Sequence, residues 1–164
     1  MQAYTNVNLV TCDSAFHVYR DGLLVVEDER IAYCGPYDEA WLEQCSELVD
    51  YEGAWLMPGL VNCHTHSAMT LLRGIRDDSN LHEWLEDYIW PAESQFTADL
   101  TTQAVQLALA EMLQSGTTTF NDMYNPQGVD IDRIYQTVQQ SGMRCYFSPT
   151  LFSSAAETAA ETLA

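Results

Sequence analysis

The chain has 164 residues, with Lys+Arg 6 against Asp+Glu 24 and a formal net charge of −18. All six basic residues are arginines (Arg20, Arg30, Arg73, Arg76, Arg133 and Arg144). A phosphate backbone or an anionic membrane surface is repelled by such a chain, so nucleic-acid and membrane partners are excluded. At 47% hydrophobic and 11% aromatic residues there is ample material for a core, which excludes disorder. The charge is even along the chain: residues 1–56 and 57–164 each net −9.

Five cysteines, Cys12, Cys34, Cys45, Cys63 and Cys145, are scattered and form no C-x-x-C pair. Free thiols in a reducing compartment suit that pattern better than a disulfide framework or a thiolate zinc site. No basic segment followed by an apolar run opens the chain, and no stretch approaches about 18 apolar residues. The expectation is a soluble, cytoplasmic protein.

From residue 3 to about 56 the segments are short and strand-like. Val7–Val10 and Phe16–Tyr19 come first. Arg20-Asp21-Gly22 is expected to turn the chain into Leu23–Val26. The acidic run Glu27-Asp28-Glu29-Arg30, read as a solvated turn, leads into Ile31–Cys34, and Gly35-Pro36 is expected to break that strand. A short helix over Asp38–Gln44 and a strand over Leu48–Tyr51 complete a small antiparallel sheet.

From Leu56 the rhythm becomes strand, helix, strand, helix. Leu60–Cys63 is a short strand ending in His64-Thr65-His66. Leu81–Trp90 has helical spacing and is expected to stop at Pro91. Thr97 caps a longer helix with Asp99 in its first turn, an apolar face of Val105, Ala108, Leu109 and Met112, and Gly116 at its end. Thr117–Phe120 is a β-branched strand. Ile131, Ile134 and Val138 form a second helical stripe closed by Gly142, and Met143–Phe147 is a third strand. Strands alternating with helices imply parallel pairing through crossovers, an α/β architecture. Ser153 or Ser154 caps a last helix over residues 155–164 that has no stop signal, so the chain reads as the N-terminal fragment of a longer protein.

His64 and His66 carry the chemistry. Two apart at the end of a strand, they point to the same face, with Thr65 on the other. Two neutral imidazoles at a strand mouth suit zinc or a similar divalent ion, although such a pair is equally compatible with a structural role. Glu93, after a helix-stopping proline, reads from composition as a solvated loop acid, and Trp84 as core. Arg73 and Arg76 are expected to pair with Asp77 and Asp78. His82 is expected on an exposed helix face, and His17 has no partner pattern. Asp122 is either an orienting partner for a ligand or a turn cap.

Met57-Pro58-Gly59-Leu60-Val61-Asn62-Cys63-His64-Thr65-His66 resembles the first-strand signature of the amidohydrolase superfamily. Met69-Thr70-Leu71-Leu72-Arg73-Gly74, Asp77-Asp78, Glu83-Trp84-Leu85 and Ile89-Trp90-Pro91-Ala92-Glu93 narrow the resemblance. It points to the branch of 5′-methylthioadenosine/S-adenosylhomocysteine deaminases and chlorohydrolases, whose second strand is similar to Gly116–Met123. The resemblance implies an α/β fold: the start of a (β/α)₈ TIM-like barrel, about three strands of eight, preceded by a small β-sandwich segment. Residues 1–56 would be the N-terminal part of the sandwich domain and 57–164 the first part of the barrel.

It further implies that His64 and His66 bind one divalent metal, zinc or iron, that Glu93 holds ribose hydroxyls, and that Trp84 lines the pocket. Metal-activated water would release ammonia from an adenine-like base, the substrate being a small nucleoside or ring amine and the full-length form a homo-oligomer. Further ligands and a general acid are implied on later strands, so no catalytic residue beyond the metal ligands falls in this chain. Ser148-Pro149-Thr150 stands where some deaminases of the branch carry an arginine. A fragment of 108 barrel residues, against about 250 for a whole barrel, is expected to be inactive alone. The alternatives are a chlorohydrolase, a hydrolase of cyclic amides, and a non-catalytic scaffold module that keeps the histidines as relics.

Overall fold

A computed structural model describes residues 1–124 and 129–149. The chain divides into two compact units, Met1–Pro58 and Gly59–Ala164.

The first unit is one sheet of five strands around β1 (Gln2–Val10). β2 (Val18–Glu27) pairs antiparallel with β1, and β3 (Arg30–Pro36) antiparallel with β2. After α1 (Glu39–Leu42), capped by the Asp38 carboxylate, β4 (Glu47–Asp50) and β5 (Trp55–Leu56) pair with successive stretches of β1 in parallel. The sheet is therefore mixed and not purely antiparallel. The passage through α1 is a crossover that returns the chain in the direction of β1, which a hairpin cannot do.

Two turn signals act differently from expectation. Arg20-Asp21-Gly22 lies inside β2 as a bulge, with Asp21 at φ 48° and the β1 register shifting opposite it. Gly22 is needed for space: a Cβ there would stand 2.9 Å from the Gly35 carbonyl and from Leu9 Cδ1. Gly35 and Pro36 pair with Leu23 and Gly22 and belong to β3, an edge strand where a missing N–H is tolerated. The acidic run does turn the chain, with Asp28 at φ 52°. Alternation along the strands gives the sheet two apolar faces. Ala3, Leu23 and Val25 pack with Trp41 and Leu42 of α1, while Val7, Leu9 and Leu24 pack with Tyr19 and Leu56.

The second unit carries three parallel strands in the order β6 (Leu60–Thr65), β7 (Thr117–Tyr124) and β8 (Arg144–Pro149). β6 leads through a 3₁₀ turn (Ser67–Leu72) to a helical run that changes register twice. It is α-helical in α2 (Leu81–Glu83), π-helical over Trp84–Ile89, and α-helical again in α3 (Trp90–Glu93). Pro91 thus does not stop the helix. It stands in the first turn of α3, directly after the π-helical stretch, where the change of register accommodates a residue without an N–H.

α4 (Ala98–Gln114) starts at Thr97, whose Oγ1 accepts the Leu100 N–H at 3.2 Å, and leads through Gly116 at φ 82° into β7. α5 (Ile131–Ser141) is capped by Asp130 and ended by Gly142 at φ 74°. Val105, Ala108, Leu109 and Met112 of α4 pack on Phe120, Ile134, Val138 and Met143. The expected stripe on α5 holds for Ile134 and Val138, whereas Ile131, in the first turn, is 39% exposed. The helix expected over residues 155–164 and its caps Ser153 and Ser154 lie outside the described residues. Three parallel strands joined by helical crossovers form the opening of a (β/α)₈ barrel.

Candidate metal centre

The sequence places His64 and His66 where β6 gives way to the 3₁₀ turn. His64 is the next-to-last residue of the strand, and His66, at φ −126° and ψ 75°, is the residue on which the turn begins. The two rings meet edge to face with centroids 5.0 Å apart. His64 is exposed and His66 half-buried. The expected convergence of the two imidazoles is therefore present.

The strand ends are tied together by polar contacts. Asn62 Oδ1 accepts the His64 N–H at 3.2 Å. Asn121 Nδ2 donates to the Cys63 carbonyl at 3.5 Å, and Ser148 Oγ donates to Asn121 Oδ1 at 3.0 Å, linking β6, β7 and β8 in sequence. Ser148 thus cross-braces the strands.

His66 is held at its ring. Its Nδ1 lies 3.3 Å from the Met123 carbonyl, and a carbonyl only accepts, so the contact is a hydrogen bond when Nδ1 carries the proton. That tautomer leaves Nε2 with a free lone pair, the form in which imidazole ligates a metal. One position before Met123, Asp122 is fully buried and accepts the Ser67 N–H at 3.0 Å and also the Ser67 hydroxyl. Asp122 lies beside Thr65 in the β6–β7 register. It thus binds the residue that follows His66. Nearby, burial and then the Asp122 charge push the Cys145 thiol up to about 12, which leaves it protonated and unreactive.

Glu93 and Trp84 come from the helical run. Glu93 ends α3 and is half-buried. Burial raises its carboxyl above the ordinary range, and His66 is close enough to oppose that rise. Trp84 opens the π-helical stretch and is half-buried. Among the described residues no group of three or more histidines, cysteines or carboxylates is drawn together at metal-binding spacing. The donors present supply two imidazoles, which fits part of a divalent site and not a whole one.

Other expectations are corrected. Arg73 makes a two-pronged bond to Glu111, at 3.2 and 2.6 Å, instead of pairing with Asp77 or Asp78. Arg76 bonds Ser79 Oγ at 3.0 Å and lies 5.5 Å from the Tyr88 ring centroid. Arg73 thus reaches α4, whereas Arg76 bonds within its own loop and lies over a ring of the π-helical stretch. His17 has a partner after all: its Nδ1 lies 2.7 Å from Asp13 Oδ2, and its ring stacks on Tyr19. His82 is exposed, as expected. A cleft of about 320 Å³ between β6, the 3₁₀ turn and α4 is lined by Thr65, Arg73 and Glu111, but not by His64, His66, Trp84 or Glu93.

The contacts of Asp122, Ser67 and the Met123 carbonyl were not foreseeable in detail. The available signal was an aspartate near the end of a β-branched strand, a residue type rarely buried without a partner.

The amidohydrolase family pattern matches residues 55–163. The chain is 50% identical over 151 residues to a 5-methylthioadenosine/S-adenosylhomocysteine deaminase of Bacillus cytotoxicus, covering 92% of this chain and 35% of that protein. It therefore spans about a third of the length of the curated relatives it matches. Among solved structures, an adenosine deaminase from Xanthomonas campestris with bound zinc is 33% identical, with a TM-score of 0.76, over 88% of this chain and 32% of its own. A zinc-bound atrazine chlorohydrolase from Arthrobacter aurescens shares the fold at TM-score 0.77 and 21% identity, over 98% of this chain and 37% of its own. No helix among the described residues is long and apolar enough to cross a membrane.

Proposed function

The chain belongs to the amidohydrolase family, and from that premise we propose that it is the N-terminal portion of a hydrolase that deaminates an adenosine-type nucleoside resembling 5′-methylthioadenosine or S-adenosylhomocysteine. The carrying observation is the His64–His66 pair at the end of β6, its rings 5.0 Å apart and His66 Nδ1 against a carbonyl. The 50% identity to a protein named as such a deaminase supports the substrate class. In this reading residues 1–56 belong to a β-sandwich domain and 57–164 to the first part of the barrel.

His64 and His66 would hold a divalent ion, zinc before iron because zinc is bound in two relatives of this fold. Such an ion supplies the Lewis acidity that makes water nucleophilic near neutral pH. The chain's own residues do the rest of what falls within it. Glu93 accepts hydrogen bonds from ribose hydroxyls, and Trp84 offers an apolar wall against the base. The raised carboxyl of Glu93 makes it a better acceptor of those bonds, since basicity and acceptor strength rise together. Water is the second substrate and ammonia the product. The cytoplasm is the proposed location and a homo-oligomer the proposed full-length form.

The test is a chimera in which this chain replaces the matching third of the Bacillus cytotoxicus deaminase. Deamination of 5′-methylthioadenosine, read as ammonia release and an ultraviolet change, is expected from the chimera and lost in its H64A and H66A variants. A folded, zinc-loaded chimera that releases ammonia from no purine nucleoside would overturn the reading. Chloride release from a chlorinated ring in its place would favour the chlorohydrolase.

A further inference from the structure

We propose that Asp122 is a positioning residue for His66, acting through Ser67, and that it sets the tautomer and direction in which His66 presents Nε2. The inference rests on the reading of His66 as a ligand and adds to it a partner on the neighbouring strand.

His66 is at a point where the backbone is neither strand nor helix, with φ −126° and ψ 75°. The turn holds it in part, through the Met69 N–H donating to the His66 carbonyl at 2.9 Å, and a second hold comes from the neighbouring strand. Asp122 supplies it. The peptide plane that joins His66 to Ser67 is held by the Ser67 N–H, which donates to Asp122 Oδ1 at 3.0 Å, while the Ser67 hydroxyl donates to Oδ2. Fixing that plane fixes ψ of His66 and with it the direction of its Cα–Cβ bond. The ring is then within reach of the Met123 carbonyl, at 3.3 Å from Nδ1. Adjacent residues of β7 therefore hold His66 at both ends, one through the backbone and one at the ring.

The energetics favour a specific role. Both Asp122 and Ser67 are buried, at 0% and 1% exposure, and a buried carboxylate is costly unless it is well bonded. A turn between a strand and a 3₁₀ segment needs a cap, but a solvated serine or asparagine would serve. Placing a fully buried carboxylate there instead makes the turn single-valued, which is what a metal ligand requires of its support.

Imidazole nitrogen shifts, read by NMR on the isotope-labelled full chain above the ordinary histidine pKa range, test the proposal. In the unsubstituted chain His66 is expected to carry its proton on Nδ1. In Asp122→Ala the His66 ring is expected to revert to the tautomer mixture of a free imidazole, and zinc affinity to fall about ten- to a hundredfold. Ser67→Ala, which keeps the N–H bond, and Asp122→Asn, which keeps the shape, are expected to give smaller shifts in the same direction. They also keep the proposal testable if Asp122→Ala does not fold. A folded set of variants with an unchanged His66 tautomer would overturn the proposal and leave Asp122 as a turn cap. Zinc binding by the unsubstituted chain that is unaffected by His64→Ala would overturn the ligand reading alone, while the tautomer still decides the role of Asp122.

Discussion

The carboxyl of Glu93 lies within electrostatic reach of His66, although a 3₁₀ turn and a helical run with two changes of register separate them along the chain. Burial raises the Glu93 pKa and the imidazole opposes the rise. The folded chain thus holds this proton more tightly than the unfolded one. Its contribution to stability is complete below the ordinary carboxylate range and is lost as pH rises through the raised folded value. Glu93→Gln, uncharged throughout, is expected to raise Tm of the metal-free chain at neutral pH and to leave it unchanged in acid. Thermal melts across that range check this, and equal Tm values at both ends would exclude it.

Zinc is expected to stabilise the chain, and a chelator to reverse the effect. At a hundred times Kd the gain is about 2.7 kcal/mol. His64→Ala and His66→Ala should each abolish the shift, while His17→Ala and His82→Ala retain it. Differential scanning with and without zinc reads the result. A shift that persists in the double variant H64A/H66A would place the ion elsewhere.

Gly59 begins the second unit against Thr118. A Cβ at Gly59 would lie 2.2 Å from Thr118 Oγ1 and 2.3 Å from its Cγ2. Gly59→Ala is expected to cost about 1–3 kcal/mol, the usual range for overpacking. Thr118→Ala removes both atoms and should recover much of that loss in a double-mutant cycle by urea unfolding. Strict additivity of the two substitutions would show that no such clash exists.

Leu109 and Arg73 should separate core packing from surface charge. Leu109 is 3% exposed within the α4–β7–α5 core, and Leu109→Ala is expected to cost about 2–5 kcal/mol. Arg73 and Glu111 pair at 2.6 Å with side-chain exposures of 68% and 43%, so Arg73→Ala is expected to cost at most about 1 kcal/mol, less at high salt. Urea unfolding at two salt concentrations distinguishes these outcomes. A larger loss from Arg73→Ala than from Leu109→Ala would invert the assignment.

Much of the second unit was legible because local signals agree there. Thr97, the Val105–Met112 face and Gly116 each act on α4 as expected, and Gly142 does so on α5. The first unit was harder to read because its glycines have spatial and not local reasons. Gly22 makes room for Leu9 and Gly35, residues brought near it only by strand pairing. Pro91 misled for a related reason: a proline stops a helix interior, but the change from π to α register makes its position the start of a new turn.

The amino-acid order alone determined the charge that excludes polyanions, the alternation of strand and helix, and the two histidines spaced to share a face. Those depend on composition and on periods of two and 3.6 residues, which need no partner to be read. Only the tertiary structure decided that Asp122 holds Ser67, that the Met123 carbonyl faces His66 Nδ1, and that Glu93 comes near His66. Parallel pairing of β6 with β7 brings together residues far apart in the chain, and the contacts of Ser67 with Asp122 and of His66 with the Met123 carbonyl run across that pairing.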